Sequence, residues 1–121
     1  MKRFRYILII VLLTSMGASS SKYDQRLEIT NLQKPQVITL HKKSDQGNIY
    51  SMRIRGSGKL NGEARIVLML NEKPYKTEEM NGKVNFTWGG DWYSDSMELR
   101  YQPLKVNSGI FVIEYYFADS K

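Results

Sequence analysis

The 121-residue chain contains no cysteine, one histidine and three prolines. Each shortage removes a class of chemistry. Without cysteine there is no disulfide, no thiol nucleophile and no attachment point for a lipid of the bacterial lipoprotein kind. Zinc centres built from histidine and cysteine need several such ligands, and His41 stands alone. A Ser-His-Asp arrangement would have to pass through that one residue, and no serine sits in a Gly-x-Ser-x-Gly elbow. His41 ends an apolar stretch and precedes Lys42-Lys43, the setting of a solvated surface residue. No long segment repeats its apolar residues at helical spacing. The chain therefore reads as a non-enzyme, with no cofactor and no metal.

Carboxylates are present, but their placement is ordinary. Asp91, Asp95 and Glu98 lie close together in sequence. Carboxylate pairs cleave glycosides in some enzymes, and six to eight oxygens can hold calcium. The spacing here matches no calcium loop. Loop aspartates more often satisfy the backbone of turns.

The net charge is +6, from 18 basic and 12 acidic residues. Part of that charge belongs to the first residues. Met1-Lys2-Arg3-Phe4-Arg5 is basic, Tyr6 to Leu13 is a continuous apolar run, and Thr14 to Ser21 is small and polar. This is the layout of a secretory signal peptide. The apolar run is shorter than the roughly 20 residues a membrane-spanning helix needs. The expected signal covers residues 1–20, with cleavage after Ser20 placing Ala18 and Ser20 at the two small-residue positions. Lys2, Arg3 and Arg5 supply three of the basic residues and no acid lies among them. The remaining domain, residues 21–121, carries +3 with signs well mixed. That distribution lacks the clustered basic face of a nucleic-acid binder. An exported, disulfide-free domain suits a bacterial periplasm or extracellular medium, with no stable membrane insertion after cleavage. About 100 residues can bury roughly 60–70% of their unfolded surface, enough for a core without staples.

What is plentiful is strand-forming sequence. Val, Ile, Thr, Tyr, Phe and Trp recur in short alternating runs between turn residues. The pattern predicts about eight short strands, at residues 25–32, 36–41, 49–55, 62–70, 75–80, 83–88, 96–101 and 109–117. The expected fold is all-β: an antiparallel β-sandwich of jelly-roll or immunoglobulin-like topology. A small closed β-barrel is the alternative. The cysteine pair of a true immunoglobulin domain is absent.

Two Asn-Gly pairs sharpen the reading, because Asn-Gly favours a two-residue hairpin turn. At Asn81-Gly82 such a turn places Trp88 opposite Tyr75 and Phe86 opposite Thr77, apolar against apolar. At Asn61-Gly62 it fails: Ile66 would face Ser57, and the apolar sets of the two strands would lie on opposite faces. A one-residue shift inverts every side chain. An irregularity at Gly56-Ser57-Gly58 is expected, or a connection at Asn61-Gly62 that is not a two-residue turn.

The last predicted strand is apolar on both faces except at Glu114. If that face is covered, Glu114 needs a partner, most simply an arginine of a neighbouring strand. If it is open, Ile110, Val112 and Tyr116 form an apolar patch of the kind that marks a protein partner.

The candidate site is the stretch TWGGDWYSD, residues 87–95. Trp88 ends an alternating strand and reads as core. Trp92 and Tyr93, flanked by Asp91, Ser94 and Asp95, combine aromatic faces with polar atoms, the mixture typical of small-ligand sites. Two arrangements are open. Trp92 plugs the end of the sandwich, or Trp92, Tyr93, Asp91 and Asp95 form an exposed site for a glycan-type ligand. The functional expectation is a small exported, non-catalytic binding module for an envelope or extracellular ligand. The alternative is a protein-interaction module, such as an exported inhibitor or an accessory subunit of an envelope complex.

Overall fold

A computed structural model describes residues 22–120. The expected signal segment and cleavage site lie outside the described residues. Within them the chain is all-β and antiparallel, with no helix. The strands are β1 (Gln25–Ile29), β2 (Gln36–His41), β3 (Ile49–Leu70), β4 (Lys73–Asp91) and β5 (Ser96–Asp119).

All five belong to one sheet, in the order β1-β5-β3-β4. On its side away from β3, β5 carries two short strands in succession. β2 pairs with residues 96–101 and β1 with residues 111–115. The path is open, with β4 at one edge and β1 and β2 at the other. The closed barrel is therefore corrected. Jelly-roll and immunoglobulin-like layouts spread seven or eight strands over two sheets; here every pairing lies in one.

The eight short strands are also corrected, to five of which three are very long. The third and fourth predicted strands are both parts of β3, the fifth and sixth parts of β4, and the seventh and eighth parts of β5. The reason is parity. Met52, Ile54, Leu60, Ala64, Ile66 and Leu68 are all buried, and all are even-numbered. Alternate residues of one continuous strand share a face, so this set needs no turn. A two-residue hairpin would have split it, which is the conflict the Asn61-Gly62 turn raised. In β4 the buried residues Met80, Val84, Phe86 and Trp88 are likewise even. The expected Tyr75–Trp88 pair does not form. Trp88 lies opposite Ile54, and Tyr75 is about half exposed and packs near Trp92 instead.

Neither Asn-Gly is a hairpin. Both mark places where long strands bend. The β3–β4 register shifts between Lys59 and Glu63, and the β3–β5 register shifts between Asn61 and Gly62 and again between Glu63 and Ala64. The irregularity thus falls just after Gly56-Ser57-Gly58, whose own pairing with β4 is regular. Across the sheet Glu63 faces Asn81 and Asn61 faces Ser108. Asn81-Gly82, Asn61-Gly62 and Asn107-Ser108-Gly109 therefore form a line crossing three adjacent strands. At Gly62, φ is 138°, and a Cβ would collide with the Lys105 carbonyl. Only glycine permits that approach. Extra residues in a ladder bend the strand and increase its twist.

The bend brings side chains of both halves into one core. Tyr101, on the half paired with β2, has its ring centroid 5.9 Å from Phe111, on the half paired with β1. The Tyr101 hydroxyl donates to the Leu32 carbonyl at 2.7 Å. Ile54, Ile66, Leu68, Leu99, Ile113 and Phe117 are sealed from solvent in the same cluster. A tight two-residue turn joins β3 to β4 at Asn71-Glu72, between paired Leu70 and Lys73. Both its residues have positive φ, 53° and 65°, as a type I′ turn requires.

Candidate functional site

The loop at residues 92–95 joins β4 to β5, and it splits the four expected site residues. Trp92 is inside, at 4% exposure. Its backbone N–H donates to the Tyr50 carbonyl at 3.2 Å. Its indole Nε1–H donates to the Ser96 carbonyl at 3.0 Å. Its ring lies 6.4 Å from that of Tyr75, at the opposite end of β4. Trp92 thus closes the end of the folded sheet and has its polar atom satisfied, the usual condition for a buried indole. Tyr93, the next residue, points the other way and is 77% exposed. Asp91 and Asp95 are exposed as well. Asp95 sits 3.3 Å from the Lys42 ammonium, and its carbonyl accepts the Lys42 backbone N–H at 2.9 Å. Trp88 is core, with its ring 4.7 Å from that of Phe86.

The neighbours of Trp92 keep some aromatic surface outside. Tyr50 and Tyr75 are each about half exposed, one bonded to the Trp92 backbone and the other packed on its ring. Three surface hollows of about 340, 510 and 310 Å³ occur elsewhere. None of them is lined by Trp92, Tyr93, Asp91 or Asp95.

His41 is exposed at the end of β2, opposite Ser96. Glu98 is engaged by Arg100 at 2.7 Å. Among the described residues, no group of three His, Asp or Glu side chains stands close enough to hold a metal ion. Glu114 has its expected partner: Arg55 of β3, opposite it in the ladder, donates Nε–H at 3.0 Å and Nη2–H at 2.6 Å to one carboxylate oxygen. The Tyr23 ring lies 4.7 Å from the guanidinium. Of the proposed apolar patch on that face, Val112 is buried, Tyr116 is half-buried and Ile110 alone is well exposed.

The feature that short-strand reasoning missed is the edge of β4. Among the described residues no strand pairs with its outer side, and β4 runs for 19 residues. Strands typically span about five or six. Half of the backbone N–H and C=O groups of an edge strand point away from the sheet, a template for another strand. The opposite edge is formed by β1 and β2, of only five and six residues, the short edge strands that deter pairing. Even there the Gln33 amide donates to the carbonyl of Asn107 at 2.9 Å.

The chain matches no family model, no curated protein and no solved structure. The reading of function therefore rests on the edge and on the loop.

Proposed function

We propose that this chain is a small exported, non-catalytic protein-interaction module that binds by strand addition at β4. The observation that carries this reading is a 19-residue edge strand whose outer side has no partner strand among the described residues. In strand addition the main chain supplies affinity and alternate side chains supply specificity. Export is supported by the basic, apolar and small-residue stretches of residues 1–20. We read the fold as a β-sandwich made by bending one sheet, since its two halves share one core. The site of action is the envelope or the extracellular space of a bacterium.

The test uses the purified protein, expressed from residues 1–121, as bait in envelope extract. It is compared with Asn85→Lys/Thr87→Lys, two exposed outward positions of β4. Lysines on an edge deter strand pairing. A partner retained by wild type and lost by the variant supports the reading. Equal capture by both overturns it.

A second reading is favoured by the exposed tyrosines around Trp92. Tyr93, with Tyr50 and Tyr75, offers aromatic faces beside Asp91 and Asp95, a surface suited to a glycan-type ligand. Trp92 serves there as a buried support. Titration with a polysaccharide panel tests it: Tyr93→Ala abolishes binding if the rim is the site.

A further inference from the structure

The two halves of the β4 edge are not alike. Ile66 and Leu68 face the core, and Glu78 and Lys76 lie opposite them. Glu78 and Lys76 therefore stand on the core-side face of the edge strand. Inward-pointing charges are a standard guard against strand addition. Pro74, two residues earlier, has no N–H to offer. The half after the bend carries no such guard. Val84, Phe86 and Trp88 face the core, while Lys83, Asn85, Thr87, Gly89 and Asp91 are exposed.

Resting on the reading of β4 as the binding edge, we propose that the strand added to it is β4 of a second copy, antiparallel over residues 83–91, with Thr87 opposite Thr87 on a twofold axis. Like copies pair most simply through one self-complementary patch. Opposed residues of an antiparallel ladder share a face, so outward residues must meet outward residues. In the proposed register Lys83 meets Asp91 of the second copy, and Asp91 meets its Lys83. Asn85 meets Gly89, and the central threonines meet each other. On the core side Phe86 meets Trp88, and Val84 meets Gly90. Opposite charges, threonine pairs and aromatic pairs are the favourable cross-strand combinations. Sliding the register by two residues in either direction keeps the faces but loses both charge pairs. Charge complementarity thus selects one alignment on the unguarded half.

Sedimentation velocity of the purified protein over a concentration series tests the proposal. Wild type associates to a dimer. Lys83→Asp and Asp91→Lys each place like charges in opposition twice and weaken the dimer by roughly tenfold or more. The double variant Lys83→Asp/Asp91→Lys restores it, which a folding defect could not do. Because the chain has no cysteine, Thr87→Cys introduces a single thiol on the axis. Mild oxidation crosslinks it to a covalent dimer far faster than Thr77→Cys, on the guarded half. A wild type that stays monomeric at its highest soluble concentration, with Thr87→Cys crosslinking no faster than Thr77→Cys, overturns the proposal. If the protein stays monomeric in this way while the lysine variant abolishes capture of an envelope partner, the second copy is excluded and the edge reading stands. If capture is also indifferent to the edge, both fall.

Discussion

Trp92 and Ser96 are joined across the β4–β5 loop by a hydrogen bond from the indole N–H to the Ser96 carbonyl, 3.0 Å long. The same ring packs on Tyr75 from the far end of β4. One side chain therefore fastens a loop and both ends of a bent strand. Replacing a large buried aromatic by alanine costs about 3–5 kcal/mol. Domains of this size hold about 5–15 kcal/mol in all. Trp92→Ala is accordingly expected to lose about 3–5 kcal/mol, a substantial share of the total, measured by urea unfolding. In Trp88→Phe, where Trp92 is the only fluorophore of its kind, emission should be blue and poorly quenched by acrylamide. A red, readily quenched signal would show that Trp92 stands in water.

The Arg55–Glu114 pair is half-exposed, with side-chain exposures of 42% and 23%. Its two hydrogen bonds outweigh a bare surface contact, whose worth is about 0–1 kcal/mol. Arg55→Ala should destabilise by about 1–2 kcal/mol, because it leaves the partly covered carboxylate alone. Arg55→Ala/Glu114→Gln should recover part of that loss. A full double-mutant cycle in denaturant with zero coupling would show the pair contributes nothing.

Glu72 holds φ at 65° in the Asn71-Glu72 turn. Residues with a Cβ carry a cost of about 1–2 kcal/mol in that conformation, and glycine does not. Part of the gain is returned as unfolded-chain entropy. Glu72→Gly should therefore raise stability by about 0.5–1 kcal/mol and the melting temperature by a few degrees. An unchanged or lower midpoint would count against the turn geometry.

Burial pushes the Tyr101 phenol above its ordinary value near 10, and burial with the nearby Asp24 charge does the same to Tyr115. Raised folded values mean that the unfolded chain ionises first as pH rises. The associated stability is complete below about pH 10 and is lost as pH climbs through the folded values. Stability measured between pH 9 and 12 should fall more steeply for wild type than for Tyr101→Phe. At neutral pH the same variant should be less stable by about 1 kcal/mol, since it gives up the bond to the Leu32 carbonyl.

The candidate site was half legible. Trp92 was visible as either a plug or a ligand platform, and composition could not choose between them. The choice depends on Tyr75, 17 positions earlier in the chain, reaching the same end of the sheet. The β4 edge was hidden because Asn81-Gly82 reads locally as a hairpin. A hairpin there would have given each short strand a partner and left no long edge.

The sequence by itself determined the all-β class and the absence of thiol and multi-histidine chemistry, and it raised the need of Glu114 for an arginine, which the β3–β5 register then supplied as Arg55. It also contained the evidence for long strands. Buried residues of one parity from Met52 to Leu68 require a continuous face, because side chains alternate with period two. Local turn propensity argued otherwise, and it is worth less than the burial of these six side chains of β3, with Met80, Val84, Phe86 and Trp88 of β4, in one core. Only the tertiary structure decided where the bend falls. Three glycine-containing segments, Asn61-Gly62, Asn81-Gly82 and Ser108-Gly109, had to lie side by side on neighbouring strands, and that alignment is set by pairing register, a long-range quantity. Which edge is long was decided the same way: β1 and β2 both took the same side of β5 and make a short, divided edge, and among the described residues the outer side of β4 was left without a partner strand.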